Sequence, residues 1–110
     1  MTAARMVLKG KKLGILLSAP PDRPNFNHGL KLAQTALAAG VDVYLYCIDQ
    51  AVAGALDPRL HLLKERGLKL FACAYGARKR NLQPGEAAVL AGLTVVADLI
   101  SATDRFVSFN

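Results

Sequence analysis

Three short apolar segments, separated by segments with helical spacing, constrain the fold of this chain more than any other feature of its sequence. The apolar segments cover 12–18, 41–48 and 68–74. Short apolar runs of this kind are typical of strands that are buried on both faces of a sheet. Strands and helices alternate with short connections, which favours parallel pairing with helices on both faces. The sequence therefore predicts an α/β fold with three α/β/α layers and a mainly parallel sheet of about five strands.

Capping and chain-breaking residues place the helices between these strands. Three prolines follow the first strand, and Asn25 or Asn27 is then expected to cap a helix that ends at Gly40. Asp57, which is followed by proline, is expected to cap the next helix. In the last helix, helical spacing places four apolar residues on the buried side, namely Val95, Val96, Leu99 and Ile100. The other predicted elements are a basic turn or short helix over 75–83, a short strand over 87–91, a helix over 94–101 and a closing strand over 105–109.

The length of 110 residues predicts a single domain over 1–110, because a chain of this size buries roughly two thirds of its unfolded surface. Residues 1–11 are expected to be a loosely held start. Lys9, Lys11 and Lys12 interrupt any signal-peptide core. The apolar runs are far shorter than the roughly 20 residues of a membrane-spanning helix. We therefore predict a cytoplasmic protein without a membrane partner, in which both cysteines are free thiols.

The formal net charge of the chain is +6, from 14 Lys and Arg against 8 Asp and Glu. Such a balance favours anionic partners, whether an acidic protein, a small anion or nucleic acid. The basic groups lack interleaved aromatic residues, so a nucleic-acid partner is not favoured. Hydrophobic residues make up 53% of the chain. We expect partner chains to cover part of this apolar surface in a homo-oligomer, either a dimer, a trimer or a hexamer.

A cysteine lies at the end of the third apolar segment. Cys73 is followed by a cationic triplet, Arg78, Lys79 and Arg80. Reactive groups of open parallel sheets gather at the carboxyl edge of the strands, and nearby cations favour the reactive thiolate form of a cysteine. Two interpretations stay open: a reactive thiol whose anion the triplet stabilises, or a small hydrophobic residue packed in its strand. Cys47, inside the second strand and without a nearby cation, is expected to be a packing residue.

Other kinds of site receive little support from the sequence. His28 and His61 are not spaced with Cys, Asp or Glu as metal ligands, so no metal is predicted. A Cys–His–acid nucleophile would have to be assembled in space, and no spacing in the chain favours it. The loop after the first strand has neither Gly-x-Gly-x-x-Gly nor Gly-Lys-Ser/Thr, so no nucleotide cofactor is predicted.

Several stretches, in their order and spacing, resemble the DsrE-like family, and the last of them resembles the end of its TusD-type sulfurtransferase subunits. The similarity runs over nearly the whole length from Lys12. It is carried by the stretches 16–20, 29–37, 40–46, 81–85, 91–93, 97–100 and 102–109.

The resemblance implies a compact α/β/α fold that assembles into dimers, trimers or hexamers. It also implies that a cysteine after the third strand carries sulfur as a persulfide between a sulfur-donor and a sulfur-acceptor protein. Only Cys73 matches that position. The family's pattern of a small residue and two arginines after the cysteine is met approximately by Arg78, Lys79 and Arg80, following Gly76 and Ala77.

Three functional hypotheses follow, and whether the protein is an enzyme stays open among them. The first is a small sulfur-relay protein, a sulfur carrier or sulfurtransferase that works through Cys73. The second is a non-catalytic interaction or regulatory subunit of the same fold, in which Cys73 only packs. The third is an α/β module that binds a small anion or nucleotide at the strand edge. Solvent access to the Cys73 sulfur separates the first two: an exposed sulfur favours the carrier, and a sealed one favours the subunit.

Overall fold

The computed structural model describes residues 7–110. The elements are β1 (Lys12–Leu17), α1 (Pro24–Ala38), β2 (Asp42–Cys47), a 3₁₀ helix (Asp49–Leu56), α2 (Pro58–Glu65), β3 (Lys69–Cys73), α3 (Ala74–Lys79), a second 3₁₀ helix (Gly85–Ala87), β4 (Val89–Ala91), α4 (Thr94–Ala102) and β5 (Arg105–Phe109). The five strands form one sheet in the order β4-β3-β2-β1-β5, and every pair is parallel. The predicted α/β fold with a parallel sheet of five strands is confirmed.

The start of α1 differs from the prediction. Pro24 is the first residue of α1, and Arg23 occupies the N-cap position without a capping bond from its side chain. Neither Asn25 nor Asn27 caps this helix. Proline, which has no N–H to satisfy, is favoured at the first helical position, and the helix begins two residues earlier than a cap at Asn25 would allow. Asp57 caps α2 as predicted, and its carboxylate accepts the backbone N–H of the second residue after it.

Of the start that was expected to be loosely held, residues 1–6 lie outside the described residues. The backbone N–H of Gly10 donates to the carbonyl oxygen of Gly40 at 3.1 Å. Gly40 has a φ of +86°, which is the left-handed conformation predicted for the residue that ends α1. The chain just before β1 is therefore tied to the turn just before β2.

The sheet separates two hydrophobic clusters, because successive side chains of a strand point to opposite faces. On one face α1 and α2 pack against alternate residues of the central strands, including Ile15, Leu17, Val43, Leu45 and Leu70. On the other face α3 and α4 cover a smaller cluster of buried residues, Tyr46, Val52, Cys73, Ala77 and Leu99. None of the helices in residues 7–110 has the length and apolar character that crossing a membrane requires.

The smaller cluster leaves part of α4 uncovered. Leu99 is buried, but Ile100 is 55% exposed, so the prediction that Ile100 faces the core is wrong. Adjacent side chains on a helix point about 100° apart around its axis. Because Leu99 points to the core, Ile100 is turned toward the surface. Val95 and Val96 are only partly buried.

Candidate functional site at the carboxyl edge of the sheet

Cys73 lies where the sequence placed it, at the carboxyl end of a strand. It is the last residue of β3 and also the N-cap of α3, with extended backbone angles of φ −63° and ψ 119°. Its sulfur accepts a hydrogen bond from the backbone N–H of Gly76, with an N–Sγ distance of 3.4 Å. An N-cap side chain that accepts such a bond satisfies one of the free N–H groups of the first helical turn. The Cys73 sulfur therefore faces a backbone donor that would also stabilise a thiolate.

The side chain of Cys73 is buried, with 5% of its surface exposed in this single chain. It belongs to the smaller hydrophobic cluster with Tyr46, Val52, Ala77 and Leu99. The sequence left two interpretations of Cys73 open. The low solvent exposure of its side chain favours the one in which Cys73 only packs in the core. Tyr46, Leu99 and the first turn of α3 all pack around the sulfur, so a second molecule can reach it only if part of this cover moves.

Tyr46 brings a second polar group to the thiol. Its hydroxyl donates a hydrogen bond to the carbonyl oxygen of Ala91, at 2.9 Å, and Ala91 pairs with Cys73 in the sheet register. Burial raises the pKa of the Tyr46 hydroxyl above its usual value, and hydrogen bonding with Cys73 and the negative charge of the Cys73 thiolate raise it further. The hydroxyl lies near Cys73, but its one hydrogen is donated to Ala91, so it would have to turn from that carbonyl oxygen to donate to a Cys73 thiolate.

Gly76 allows α3 to lie this close to the sheet. A Cβ atom at this position would lie 3.0 Å from Cγ2 of Val52 and 3.5 Å from the Cβ of Cys73. The first of these distances is tighter than ordinary van der Waals contact. A side chain at position 76 would therefore push the first turn of α3 away from the thiol that its N–H group contacts.

The three cations of the triplet have different surroundings. Arg80 is half-buried and folds back along α3, where its Nη1 donates to the carbonyl oxygen of Gly76 at 3.3 Å. Arg78 lines a shallow groove of about 340 Å³ together with Asn81 and Leu82. Lys79 is exposed. Only the guanidinium of Arg80 is directed back toward the turn that holds Cys73, so the triplet does not surround the sulfur as a group.

Cys47 provides the contrast. It is the last residue of β2 and is fully buried in the larger hydrophobic cluster, on the face that α1 covers. Burial raises the pKa of the Cys47 thiol to about 12. Both cysteines are free thiols. Cys47 is therefore a packed, protonated thiol, as the sequence predicted.

The two histidines lie outside the site. His28 is exposed on α1, and its Nδ1 is 3.1 Å from the side-chain oxygen of Asn25. His61 is exposed on α2 and lies 3.7 Å from a carboxylate oxygen of Glu65. Within residues 7–110, no three His, Cys, Asp or Glu side chains are grouped closely enough to hold a metal ion.

Two features of this site could not be predicted from the sequence. Tyr46 was not singled out, because its contact with Cys73 depends on the register between β2 and β3. The backbone N–H of Gly76 was not singled out either. The sequence did contain a signal for this contact, namely a glycine three positions after a cysteine at the end of a strand. An N-cap side chain commonly accepts a hydrogen bond from the backbone N–H of the third helical residue.

Comparison with solved structures shows the same fold in another protein. The chain superposes on the crystal structure of the ychN protein from E. coli with a TM-score of 0.79, covering 91% of this chain and 99% of that one. The two sequences are 16% identical, so this likeness shows the fold alone.

No curated protein matches the chain in sequence. The model of the DsrE/DsrF-like family matches residues 11–109, which is nearly the whole chain. The chain therefore belongs to the DsrE/DsrF-like family.

Proposed function

We propose that this protein is a sulfur carrier, in which Cys73 holds sulfane sulfur as a persulfide and passes it between partner proteins. The observation that carries the proposal is the placement of Cys73 at the carboxyl end of β3, with its sulfur facing the backbone N–H of Gly76. Membership of the DsrE/DsrF-like family supports the same interpretation, because the strand-end cysteine matches the position that the family resemblance singled out.

The chemistry requires no external oxidant or reductant. The Cys73 thiolate attacks the terminal sulfur of a donor persulfide, and a new S–S bond forms as the donor's S–S bond breaks. The donor leaves as a thiolate, and Cys73 becomes a persulfide. In the second step an acceptor thiolate attacks the terminal sulfur, and the Cys73 thiolate is the leaving group, by analogy with thiol–disulfide exchange. The N–H of Gly76 supports this role, since it already donates to the Cys73 sulfur and would also stabilise the thiolate.

Access to the sulfur has to come from local opening, since only 5% of Cys73 is exposed. The covering helix α3 has only 6 residues. Isolated helices of this length are not stable in water, so α3 depends on its contacts and on the bond from Arg80 to Gly76. Short elements with few contacts open at low free-energy cost. In the proposal, docking of a donor or acceptor protein displaces the first turn of α3 and uncovers the thiol.

Release of stored sulfur tests the carrier function. The protein is incubated with a persulfide donor, separated from it, and treated with dithiothreitol, which converts a protein persulfide to the thiol and hydrogen sulfide. We expect about one sulfide per chain. The Cys73→Ser variant should release none, and the Cys47→Ser variant should release as much as the natural protein. Sulfide release that is unchanged in Cys73→Ser would contradict the proposal.

A second candidate function has a specific observation in its favour. The burial of Cys73 among Tyr46, Val52, Ala77 and Leu99 suits a residue that only packs, as expected of a non-catalytic interaction or regulatory subunit. Under this alternative, neither cysteine would accept sulfur while the protein is folded. Failure of the native protein to release any sulfide, with normal folding, would favour this alternative.

Assembly with further copies of the chain is part of the proposal. Four large apolar side chains are exposed within the segment 89–100, namely Val89, Leu90, Leu93 and Ile100. Val89 and Leu90 belong to β4, which is an edge strand of the sheet. Exposed apolar residues on an edge strand favour association with another chain. We expect a homo-oligomer, a dimer, trimer or hexamer, and sedimentation equilibrium should show a mass above the 11.7 kDa of one chain. Sedimentation as a monomer at micromolar concentration would contradict this part.

The cytoplasm is the proposed location. Sulfur carriage needs a free Cys73 thiol, and a reducing compartment keeps thiols in that state. A persulfide carrier also depends on thiols that are not locked in disulfides. Fractionation of cells that produce the full-length protein tests this location.

A further inference from the structure

A second region of the carboxyl edge lies apart from Cys73. An open crevice of about 640 Å³ is formed by the loop after β1, the start of the 3₁₀ helix after β2, and the residue after β5. In the strand order, β1 to β4 proceed in one direction, and β5 then lies on the other side of β1. The crevice is therefore at the point where the strand order reverses. Open α/β sheets bind their ligands in the crevice at this point.

Two side chains of opposite charge line the crevice. Arg23 lies in the loop before α1, and Asp49 is the first residue of the 3₁₀ helix. Both are exposed, and within residues 7–110 neither forms an ion pair. A guanidinium and a carboxylate that are both unpaired, and that line one crevice, suit a ligand that carries both charges itself.

The rest of the lining is fixed by contacts between elements. The hydroxyl of Ser18 donates to the side-chain oxygen of Asn110 at 2.9 Å. The side-chain amide of Asn25 donates to the carbonyl oxygen of Asn110 at 2.7 Å. These bonds join the ends of β1 and β5 and the first turn of α1, so the crevice is formed before a ligand arrives. Its volume lies within the roughly 300–1,000 Å³ of small-molecule sites.

We infer that this crevice binds a small zwitterion with one carboxylate and one ammonium group, of the chemical class of the α-amino acids. Arg23 is placed to bind the carboxylate, because a guanidinium matches the two oxygens of a carboxylate with parallel hydrogen bonds. The N-terminal end of α1, which has no acidic residue in its first turn, adds a favourable field for the same group. Asp49 is placed to bind the ammonium group.

A phosphate or a nucleotide fits the crevice less well. Either ligand would place roughly two negative charges beside the carboxylate of Asp49, and like charges at short distance repel. The loop after β1 also lacks the glycines that let a backbone approach phosphates. An amino-acid-like ligand avoids both difficulties, because its ammonium group meets Asp49. This inference goes beyond sulfur carriage and does not depend on it, since β2 lies between the strand of Cys73 and β1.

Nuclear magnetic resonance of the full chain tests the inference, with each of the common L-α-amino acids as the probe at concentrations up to millimolar. At least one amino acid should produce saturable shifts at the backbone amides of Ser18, Asn25 and Asp49. Its methyl ester lacks the carboxylate, and its N-acetyl derivative lacks the ammonium group. Each should bind at least about tenfold more weakly, because a charge-assisted hydrogen bond is lost. Equal binding of both derivatives would overturn the inference.

Variants locate the site. Arg23→Gln and Asp49→Asn should each weaken binding about tenfold or more. Asn tolerates the φ of +54° found at position 49, so the second variant keeps the backbone conformation. Arg66→Gln and Asp98→Asn change exposed charges elsewhere and should leave binding unchanged.

The Cys73→Ser variant should bind the amino acid as the natural protein does, so failure of the sulfur-carrier proposal would leave this result intact. The absence of saturable shifts with every amino acid would overturn the inference. The inference would also be overturned if inorganic phosphate shifted the same amides and none of the amino acids did.

Discussion

Cys47 and Cys73 lie on neighbouring strands of one sheet, but their side chains occupy opposite faces. Cys47 pairs with Ala72 in the register between β2 and β3, so Cys73 is displaced by one residue from that pair. A displacement of one residue in a strand turns the side chain to the other face. Cys47 accordingly packs in the larger hydrophobic cluster, and Cys73 packs in the smaller one. The sheet keeps the two sulfurs from forming a disulfide and makes Cys47 an internal control for Cys73.

The two thiols should differ in their rates of alkylation. Burial raises the pKa of Cys47 to about 12, so this thiol is protonated at pH 8 and reacts only when the protein unfolds. Cys73 packs against the first turn of the short helix α3, and in the proposal it becomes accessible when that turn opens locally. With iodoacetamide at pH 8, we expect alkylation of Cys73 to be at least about tenfold faster than that of Cys47, because local opening needs less free energy than global unfolding. Peptide mass spectrometry measures both rates in one sample. Equal rates that rise together with urea would show that α3 does not open by itself.

Tyr46 should affect both stability and the reactivity of Cys73. Tyr46→Phe removes the hydrogen bond to Ala91, which should lower the free energy of unfolding by about 1 kcal/mol. If the hydroxyl turns its one hydrogen from Ala91 to the Cys73 thiolate when that thiolate forms, its removal should also slow alkylation of Cys73 at neutral pH by about threefold to tenfold. Tyr44→Phe is the matched control on the same strand, since the ring of Tyr44 faces Lys69 at 4.8 Å and stays in place. If both variants alkylate equally fast, Tyr46 does not stabilise the thiolate.

The cap of α2 should give a stability that depends on pH. Hydrogen bonds from Arg59 hold the pKa of Asp57 below its ordinary value. A carboxyl whose pKa is lower in the folded state stabilises the fold fully above its unfolded pKa of about 3.9, and this stabilisation is lost as the pH falls through the folded value. Asp57→Ala should therefore cost about 1 kcal/mol at pH 7, and the difference from the natural protein should shrink below about pH 4.

Urea unfolding at pH 7 and at pH 3 measures the Asp57 effect. Asp57→Asn keeps a capping oxygen and loses the charge, so it should cost less than Asp57→Ala at pH 7. A difference between natural protein and Asp57→Ala that is the same at both pH values would contradict the proposed role of the charge.

A glycine of the first 3₁₀ helix should resist substitution for reasons of packing. A Cβ on Gly54 would lie 2.5 Å from Cζ of Phe26 and 3.2 Å from Cγ of Pro21. Phe26 is fully buried, so its ring has no free space to move into. Gly54→Ala should lower the free energy of unfolding by about 1–3 kcal/mol. A Cβ on Gly92 would meet no atom of residues 7–110 within 4 Å, and Gly92→Ala should change stability by less than about 0.5 kcal/mol. Urea unfolding of both variants compares them directly, and equal effects would refute the packing argument.

The first three strands could be predicted closely, because the apolar runs 12–18, 41–48 and 68–74 each end only one residue after the strand that they contain. β1 ends at Leu17, shortly before the first proline, and β3 ends at Cys73, where α3 begins. The helix starts were harder to predict. Asp57 was identified correctly, since a capping residue and a proline stand together there. At α1 the two asparagines suggested a later start than Pro24.

The site could be predicted only in part, because its components come from distant parts of the chain. The position of Cys73 at the strand end follows from local sequence. Its burial does not, since Leu99 of α4 and Tyr46 of β2 supply the cover, and both meet Cys73 only through the tertiary fold. The charged crevice is a similar case. Arg23 and Asp49 line it together because they follow β1 and β2, which pair in parallel, and β5 adds Asn110 from the other side of β1.

The measurement that tests the sulfur-carrier proposal most directly is mass spectrometry of the native protein after incubation with a persulfide donor. Free thiols and persulfides are alkylated after unfolding, and each cysteine peptide is then identified. The proposal predicts one added sulfur atom on the Cys73 peptide and none on the Cys47 peptide. The Cys73→Ser variant should show an unchanged fold by circular dichroism and no added sulfur. Added sulfur confined to Cys47, or an unmodified Cys73 in protein that folds normally, would contradict the proposal and leave the interaction subunit as the function that fits the fold.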